Sequence, residues 1–186
     1  MSSHEWKERF EEERRQKDEF FAVHPQSPIS PRERHTFRGL SYWPVDPNYR
    51  FELELREYDE PQVIAVADTK GQERKLWRWG EFRFQLDGEQ VTLCAYRSDP
   101  REERFFIPFR DRTSGKESYG AGRYLDLSPQ DHLAQDGKWV VDFNEAYNPW
   151  CAYSEDYACP FVPTENWLSV PVRAGEKNYP HGENAG

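Results

Sequence analysis

Long apolar runs, cysteine and lysine are all scarce in this sequence. No stretch approaches the ~20 apolar residues of a membrane-spanning helix, and the N-terminal residues MSSHEWKERFEEERRQKDEFF lack the apolar core of a signal peptide. The chain has three cysteines, an odd number, and without a secretory signal this indicates free thiols in a reducing compartment. We therefore expect a cytoplasmic protein with no membrane partner.

Positive charge is also in the minority. Asp and Glu number 34 against 25 Lys and Arg, which gives a formal net charge of −9 at pH 7. Because a phosphate backbone repels an acidic protein, nucleic acid is not expected as a partner. Arg outnumbers Lys, and a carboxylate-rich, Lys-poor surface is typical of proteins in concentrated salt, which screens their self-repulsion. A halophilic source is therefore one hypothesis.

Aromatic residues make up 16% of the chain, and such residues suit the half-buried surfaces of strands. Before the strands, residues 3–22 contain no Pro or Gly and predict a charged helix that begins near Ser3 as its cap. The rings that share one side of this helix are Trp6, Phe10, Phe20 and Phe21. We expect them to pack on the domain, and the alternative is that the charged face binds a partner.

From residue 36 onward, alternation of apolar and charged residues predicts strand after strand. The predicted strands are 49–58, 63–68, 73–79, 82–86, 90–97, 104–109, 123–127, 138–143 and 167–173. Asp87-Gly88 is the strongest hairpin signal, and short connections favour antiparallel neighbours. The predicted fold is mainly β: an antiparallel meander of about nine strands forming a barrel-like or sandwich domain, with an N-terminal helix and a long loop over it.

Three parts are expected along the chain. Residues 1–35 form the helix and a Pro-rich connector, residues 36–177 form a single β domain, and residues 178–186 form a disordered tail. Glu176 and Lys177 are accordingly expected at an exposed chain end.

Polar residues stop behaving like ordinary surface residues in segments 106–126 and 138–166. Residues 144–166 form a loop that is long for a compact domain, and such loops are commonly functional. We expect the two segments to build one polar pocket. The predicted ligand-binding residues are Arg110, Tyr119, Gly122, Arg123, Asn144, Tyr147, Asn148, Cys151, Tyr153 and Asn166.

These segments also carry a family resemblance. The strings FIPFRDRTSG, YGAGRYLDL and VVDFNEAYNPWCAYSEDYACPFVPTENWLSVPV, followed by RAGEK, resemble domain of unknown function family 1684, and KDEFF and FRGLSYWPVDPNYRF are similar to its N-terminal part. The resemblance covers nearly the whole chain. It implies a domain and a region for its site, but no reaction, because the family has no assigned activity. The residues at the family's motif positions are Gly122, Arg123, Asp142, Asn144, Asn148, Cys151, Cys159, Glu165 and Asn166.

Arg123 is the predicted anion anchor. It follows a glycine turn and opens an apolar strand, and a guanidinium group binds carboxylate or phosphate through two parallel hydrogen bonds. The alternative is that this arginine, like Arg110 and Arg112, forms an ion pair with a nearby carboxylate. The candidate carboxylates are Asp111, Glu117, Asp126 and Asp142.

Cys151 and Cys159 lie in the same long loop. Their spacing is wider than that of typical zinc ligands, and no local His could activate a catalytic thiolate. A disulfide or a packed thiol pair that shapes the loop is therefore favoured, while Cys94 is expected in the core. The sequence identifies no metal site, cofactor or oligomeric state.

Three functional hypotheses remain. The first is a domain that binds a small anionic molecule, bearing a carboxylate or a phosphate, in the polar pocket. The second is a hydrolase that uses Asp142 or Glu165 as general base, although no nucleophile–base pair can be identified. The third is a structural or interaction protein whose polar motifs hold the long loop on the sheet.

Overall fold

One long helix precedes the strands. The computed structural model of the chain describes residues 2–179, and its first element, α1, spans Ser3–Val23. Ser2 caps this helix, because its hydroxyl accepts the Glu5 N–H at 3.2 Å while the Glu5 carboxylate accepts the Ser2 N–H at 2.8 Å. The predicted cap at Ser3 is one residue too late. The rings buried along the helix are Trp6, Phe10 and Phe21.

Within residues 2–179, seven strands form two antiparallel sheets. Their bounds are β1 Arg50–Leu53, β2 Arg56–Ala67, β3 Glu73–Leu86, β4 Glu89–Arg97, β5 Phe105–Phe109, β6 Arg123–Leu127 and β7 Trp139–Asp142. Strands β2 to β6 form a five-stranded meander, and β1 pairs with β7 in a second sheet. The predicted mainly β, antiparallel fold is confirmed, with seven strands where about nine were expected. The arrangement is sandwich-like and does not close into a barrel.

Short helical turns lie outside the strands. A one-turn helix, α2, follows β6 at Pro129–His132. The 3-10 segments are Glu33–His35, Pro47–Tyr49, Phe143–Glu145, Trp150–Ala152 and Thr164–Asn166. Three of them follow β7, so the long loop predicted there is built from local turns.

The chain changes sheet where one continuous strand, 49–58, was predicted. Strand β1 pairs with β7, strand β2 pairs with β3, and the two-residue break between them is Glu54-Leu55. Alternation of side chains does not reveal such a break, because a change of partner strand can leave the two-residue period intact.

Strand β3 is one bent strand, where two were predicted at 73–79 and 82–86. Its register against β4 shifts between Arg78 and Gly80. A Cβ on Gly80 would lie 2.7 Å from the carbonyl oxygen of Arg56, so glycine lets the neighbouring strand approach closely at this bulge. The hairpin predicted at Asp87-Gly88 is confirmed between β3 and β4, with both residues at positive φ.

The main core lies between the two sheets. Phe51 of β1 has its ring centroid 4.7 Å from that of Phe84 of β3, and Phe143 lies 6.0 Å from Phe84. Such tilted and edge-on ring contacts add to the burial of apolar area. The few large rings noted in the sequence therefore join the two sheets.

Residues 167–173 complete this core without forming the strand that was predicted. Leu168, Val170 and Val172 are buried in it, so the alternation correctly indicated which side chains face inward. The backbone is held by separate bonds, such as the Leu168 N–H donated to the Arg110 carbonyl at 2.7 Å.

The segment that follows returns to the start of the β domain. Trp43 donates its N–H to the Gly175 carbonyl at 3.0 Å, and Lys177 donates its N–H to the Ser41 carbonyl at 2.8 Å. Between these bonds Glu176 is 1% exposed. The expectation of an exposed chain end is therefore wrong for Glu176.

Of the predicted tail 178–186, only two residues are described. The Asn178 side chain donates to the Lys116 carbonyl at 2.9 Å, and the Tyr179 ring lies 5.3 Å from that of Tyr153. Residues 180–186 lie outside the described part of the chain. Among residues 2–179, no helix combines the length and the apolar character needed to cross a bilayer.

Candidate functional site

Arg123 at the start of β6 is buried and bonded to protein acceptors. Its Nη1 donates to the carbonyls of Ala174 at 2.6 Å and Glu176 at 3.1 Å. Its Nη2 donates to the Val172 carbonyl at 2.8 Å and to the Asp111 carboxylate at 3.3 Å. Because the Nη donors are used internally and the side chain is 1% exposed, Arg123 braces the C-terminal segment. This corrects its predicted role as an anion anchor.

Gly122 and Arg110 also have local structural tasks. Gly122 has a φ of +104°, and a Cβ there would lie 2.5 Å from the Phe109 carbonyl oxygen, so only glycine fits this turn. The Arg110 guanidinium lies 4.3 Å from the centre of the Trp167 ring, in a cation–π contact.

Asn166 is fully buried between β4 and β5. Its Oδ1 accepts the Cys94 N–H at 2.8 Å, while its Nδ2 donates to the carbonyls of Cys94 at 2.9 Å and Pro108 at 2.8 Å. Pro108 has no N–H of its own, so the asparagine amide supplies donors that the β5 backbone lacks here. Asn166 therefore replaces part of a strand ladder.

Asn148 and Tyr153 converge on the buried carboxylate of Glu176. The Asn148 N–H donates to Glu176 Oε2 at 2.5 Å, and the Tyr153 hydroxyl donates to the same oxygen at 3.2 Å. Burial raises the pKa of Tyr153, and the Glu176 charge raises it further. These bonds secure the long loop against the C-terminal segment.

Asp142 and Asn144 form a cap after β7. Asp142 Oδ1 accepts both the backbone N–H of Asn144 at 2.9 Å and its Nδ2 at 2.8 Å. The Asn144 amide also exchanges bonds with both backbone groups of Asp46. Burial raises the pKa of Asp142, although its hydrogen bonds to Asn144 act in the opposite direction.

Glu165, the other candidate base, belongs to a different cluster. Its carboxylate accepts two bonds from the Arg78 guanidinium, at 2.9 and 2.8 Å, and a third from the Tyr96 hydroxyl. Asp142 and Glu165 share no partner among these contacts, so the paired carboxylates of a hydrolase are not assembled here.

The two loop cysteines lie side by side. Both thiols are free, the Cys151 N–H donates to Cys159 Sγ at 3.4 Å, and the Tyr119 hydroxyl lies 3.6 Å from Cys151 Sγ. Of the two arrangements expected, the packed thiol pair is the one observed. Within residues 2–179, no group of three or more His, Cys, Asp or Glu side chains is placed to hold a metal ion.

A cleft of about 220 Å³ separates α1 from the β domain. We call it the α1 cleft. Its lining residues are Phe10, Glu13, Arg14, Lys17, Tyr42, Asn144, Glu145, Ala146, Tyr147 and Glu176. Of the predicted ligand-binding residues it contains Asn144 and Tyr147, and segment 106–126 contributes none of its walls.

Arg14 is the cation of this cleft without an anionic partner. Its Nη1 donates to the Trp43 carbonyl at 2.8 Å, and its guanidinium lies 4.4 Å from the centre of the Tyr42 ring. Its Nη2 and the Tyr42 hydroxyl are buried and have no hydrogen-bond partner among residues 2–179. In the same part of the chain, no carboxylate lies within ion-pair distance of Arg14. Burial lowers the pKa of Arg14, against nearby charges that raise it.

The second cation of the cleft is already neutralised. Lys17 Nζ lies 2.6 Å from Glu176 Oε1 and 5.3 Å from the centre of the Tyr147 ring. Glu145, which also lines the cleft, is paired with His132 at 2.9 Å. Of the cations that line the cleft, Arg14 is therefore the one without an ion pair among residues 2–179.

Arg14 and Lys17 were not predicted as site residues, although the sequence contains a signal for them. Both cations lie on the helical stripe of the buried rings Phe10 and Phe21, since 10, 14, 17 and 21 follow the i, i+4, i+7, i+11 spacing. Charged residues on the stripe that packs against a domain are candidates for function, because burying them unpaired is unfavourable.

Comparisons with known proteins give a family but no activity. The family model described as Protein of unknown function (DUF1684) matches residues 35–177. A solution NMR structure of an uncharacterized protein from gene locus rrnAC0354 of Haloarcula marismortui is 39% identical, with a TM-score of 0.70, and the match covers 94% of this chain and 95% of that one. Among curated proteins, none matches the chain.

Proposed function

We propose a binding function for this chain, which belongs to the family described as Protein of unknown function (DUF1684). In this proposal it binds a small molecule bearing one carboxylate or phosphate group in the α1 cleft. The anion would contact Arg14 and Tyr42. This keeps the class of ligand predicted from the sequence and moves its anchor from Arg123 to the helix.

The observation that supports this proposal is the pair of unused donors at Arg14 and Tyr42. A buried polar atom without a partner costs about 1–3 kcal/mol, more when it is charged, so such atoms need a reason to be retained. A carboxylate or phosphate oxygen would accept from both Nη2 and the hydroxyl and would neutralise the guanidinium. One ligand group would thus satisfy both donors.

The walls of the cleft limit the rest of the ligand. Phe10, Tyr42 and Tyr147 present ring surfaces, which favour a compact apolar or planar body next to the anionic group. A volume of about 220 Å³ is below the usual range for drug-sized ligands, roughly 300–1,000 Å³. We therefore propose a small organic acid or phosphate ester, with Asn144 and Tyr147 in the wall.

Thermal unfolding with defined probes tests the proposal. Acetate, benzoate, inorganic phosphate and phenyl phosphate are titrated at fixed ionic strength, with benzamide as the uncharged control. A ligand at 100 times its Kd adds about 2.7 kcal/mol, which corresponds to a Tm increase of roughly 5–10 °C for a chain of this size. We expect an increase with at least one anion and none with benzamide.

Two variants locate the effect. Arg14→Gln removes the charge and should abolish the ligand-dependent increase in Tm, and Tyr42→Phe should weaken it by removing one donor. The matched control is Arg15→Gln, since Arg15 is the next residue of α1 and its side chain is 73% exposed. The proposal is wrong if no anion stabilises the wild-type chain, or if Arg14→Gln responds to anions as the wild type does.

A further inference from the structure

Cys151 and Cys159 are not among the residues that line the α1 cleft. Cys151 belongs to the 3-10 segment Trp150–Ala152, and Cys159 lies where the long loop returns to the edge of β2. There the Thr69 N–H donates to the Cys159 carbonyl at 3.0 Å, and the Cys159 N–H donates to the Thr69 hydroxyl at 3.2 Å. Cys159 is therefore held at the sheet edge by two hydrogen bonds to Thr69.

We propose that Cys159 and Cys151 form a peroxide-reactive modification site, in which Cys159 is the attacking thiolate and Cys151 the resolving thiol. The proposal is independent of ligand binding in the α1 cleft. It rests on the contact between the Cys151 N–H and Cys159 Sγ at 3.4 Å, on the side-chain hydrogen bond between the two thiols, and on the Arg74 charge near Cys159.

The surroundings distinguish the two sulfurs. The Arg74 guanidinium donates to the Ala158 carbonyl at 2.7 Å, next to Cys159 in the chain. The hydrogen bond from the Cys151 side chain lowers the pKa of Cys159 to about 6, against the effect of burial, and the Cys151 N–H and the Arg74 charge lower it further. The same contact raises the pKa of Cys151. This direction, together with the position of Arg74 beside Ala158, is the basis for assigning Cys159 as the attacking thiol.

Other ionisable groups near the pair do not titrate between pH 6 and 8. Tyr119 beside Cys151 and Tyr124 of β6 both have pKa values raised by burial, and they remain neutral. Asp68, ion-paired with Arg74 at 3.3 Å, has a pKa lowered by its hydrogen bonds and by Arg74, against desolvation, and remains charged. A titration seen at the pair in this range therefore belongs to the thiols.

The chemistry balances with a hydroperoxide as oxidant. The Cys159 thiolate attacks one oxygen of the O–O bond, so an S–O bond forms, the O–O bond breaks, and the leaving alkoxide or hydroxide takes a proton from solvent. The Cys151 thiol then loses its proton, and its sulfur attacks the Cys159 sulfenic acid, releasing water as the S–S bond forms. Two thiols lose two electrons in total, and the peroxide gains them.

The product would close a cross-link within the long loop. The residues after Cys159 are bonded to β2 through the Phe161 N–H, which donates to the Ala67 carbonyl at 2.9 Å. A Cys151–Cys159 bond would therefore tie the Trp150–Ala152 segment to the edge of the five-stranded sheet. Reduction by a thiol would release it, which makes the modification reversible.

The chain provides its own control, because Cys94 is the third cysteine of this sequence. Cys94 is 5% exposed in β4, and burial raises its pKa. Reduced protein is treated with hydrogen peroxide at pH 7, and intact mass and peptide mapping follow the products. We expect the wild-type chain and Cys94→Ser to lose two hydrogens and to gain a Cys151–Cys159 cross-link.

Single variants separate the two tasks. Cys151→Ser should accumulate a sulfenic acid at Cys159 that is trapped by dimedone, and Cys159→Ser should react with neither peroxide nor dimedone at pH 7. Circular dichroism establishes that each variant is folded. A cross-link that involves Cys94, or equal peroxide reactivity in Cys159→Ser and the wild type, overturns the proposal.

The pH dependence of alkylation on the wild-type chain needs no variant. Between pH 8 and pH 6 the iodoacetamide rate of an ordinary thiol falls roughly 80-fold, whereas that of a thiol with a pKa of about 6 falls about twofold. We expect the shallow profile at Cys159 by peptide mapping. A profile as steep as that of an ordinary thiol contradicts the assignment of Cys159 as the thiolate.

Discussion

The side-chain amide of Asn166 bonds both backbone groups of Cys94 and the carbonyl of Pro108. These bonds lie where β4 and β5 share a single register pair, Tyr96 with Phe106. The five-stranded sheet therefore depends at this junction on a side chain from outside the sheet. Asparagine offers an acceptor and two donors in one plane, which matches the peptide group that it replaces.

Asn166→Ala should lower the free energy of unfolding by on the order of 3 kcal/mol, because each buried group left without a partner costs about 1–3 kcal/mol. Urea denaturation at pH 7 measures the change. Asn48→Ala serves as the control, since Asn48 is exposed and its replacement should be nearly neutral. A cost for Asn166→Ala as small as that for Asn48→Ala would show that the bridge does not support the sheet.

Arg123→Ala should cost roughly 3–5 kcal/mol, the usual penalty for leaving one member of a buried ion pair alone. The orphaned group is the Asp111 carboxylate, which is 1% exposed. Arg112→Ala is the matched control, because Arg112 is exposed and its guanidinium donates to the Ser169 carbonyl at 3.0 Å. Unfolding in urea compares the two. A near-neutral Arg123→Ala would restore Arg123 as a candidate for ligand binding.

Asp142→Asn tests whether the cap after β7 needs the charge of the Asp142 carboxylate. The asparagine oxygen can still accept the bonds from Asn144, and the change removes a charge that burial disfavours. Since the folded-state pKa of Asp142 is raised above its ordinary value of 3.8, the folded chain binds more protons than the unfolded chain between these two pKa values. The contribution of Asp142 to the free energy of unfolding of the wild type therefore falls as the pH rises through that window.

The expected result is that Asp142→Asn is at least as stable as the wild type at pH 7, and that its advantage shrinks as the pH is lowered toward 4. Chemical denaturation at several pH values measures this difference. A variant that is clearly less stable at pH 7, with no trend with pH, would mean that the carboxylate charge itself supports the fold.

The acidic composition predicts that salt stabilises the protein. At a net charge of −9, raising KCl from 0.1 M to 1 M shortens the Debye length from about 10 Å to about 3 Å and screens self-repulsion, so Tm should rise by a few degrees. Near the sequence pI of about 5.1 the repulsion vanishes, and the same titration should have little effect. Equal stability with and without salt at pH 7 would remove the halophilic hypothesis.

The fold was largely predictable because its signals are local. The hairpin at Asp87-Gly88 follows from two adjacent residues that adopt positive φ, and the helix follows from spacing within α1. The division at Glu54-Leu55 was not predictable, because β1 and β2 differ in their partner strands and not in their own pattern. Pairing between distant segments is not encoded in the period of either one.

The site was less predictable for the same reason. Arg123 and Asn166 were correctly singled out as polar residues that do not behave as surface, but their partners, such as Ala174 and Cys94, lie far away in the sequence. A residue that braces the backbone and one that binds a ligand have the same local pattern. Arg14 was hidden among the many charges of α1, and only the buried face of the helix distinguishes it.

The bonds that join Ser41 and Trp43 to Gly175 and Lys177 have a kinetic consequence. They connect segments more than 130 residues apart in the sequence, so they raise the contact order, and a high contact order slows the folding reaction. The wall of the α1 cleft at Tyr42 and Glu176 is made at this closure. Occupancy of the cleft would thus be an indicator that the polypeptide has finished folding.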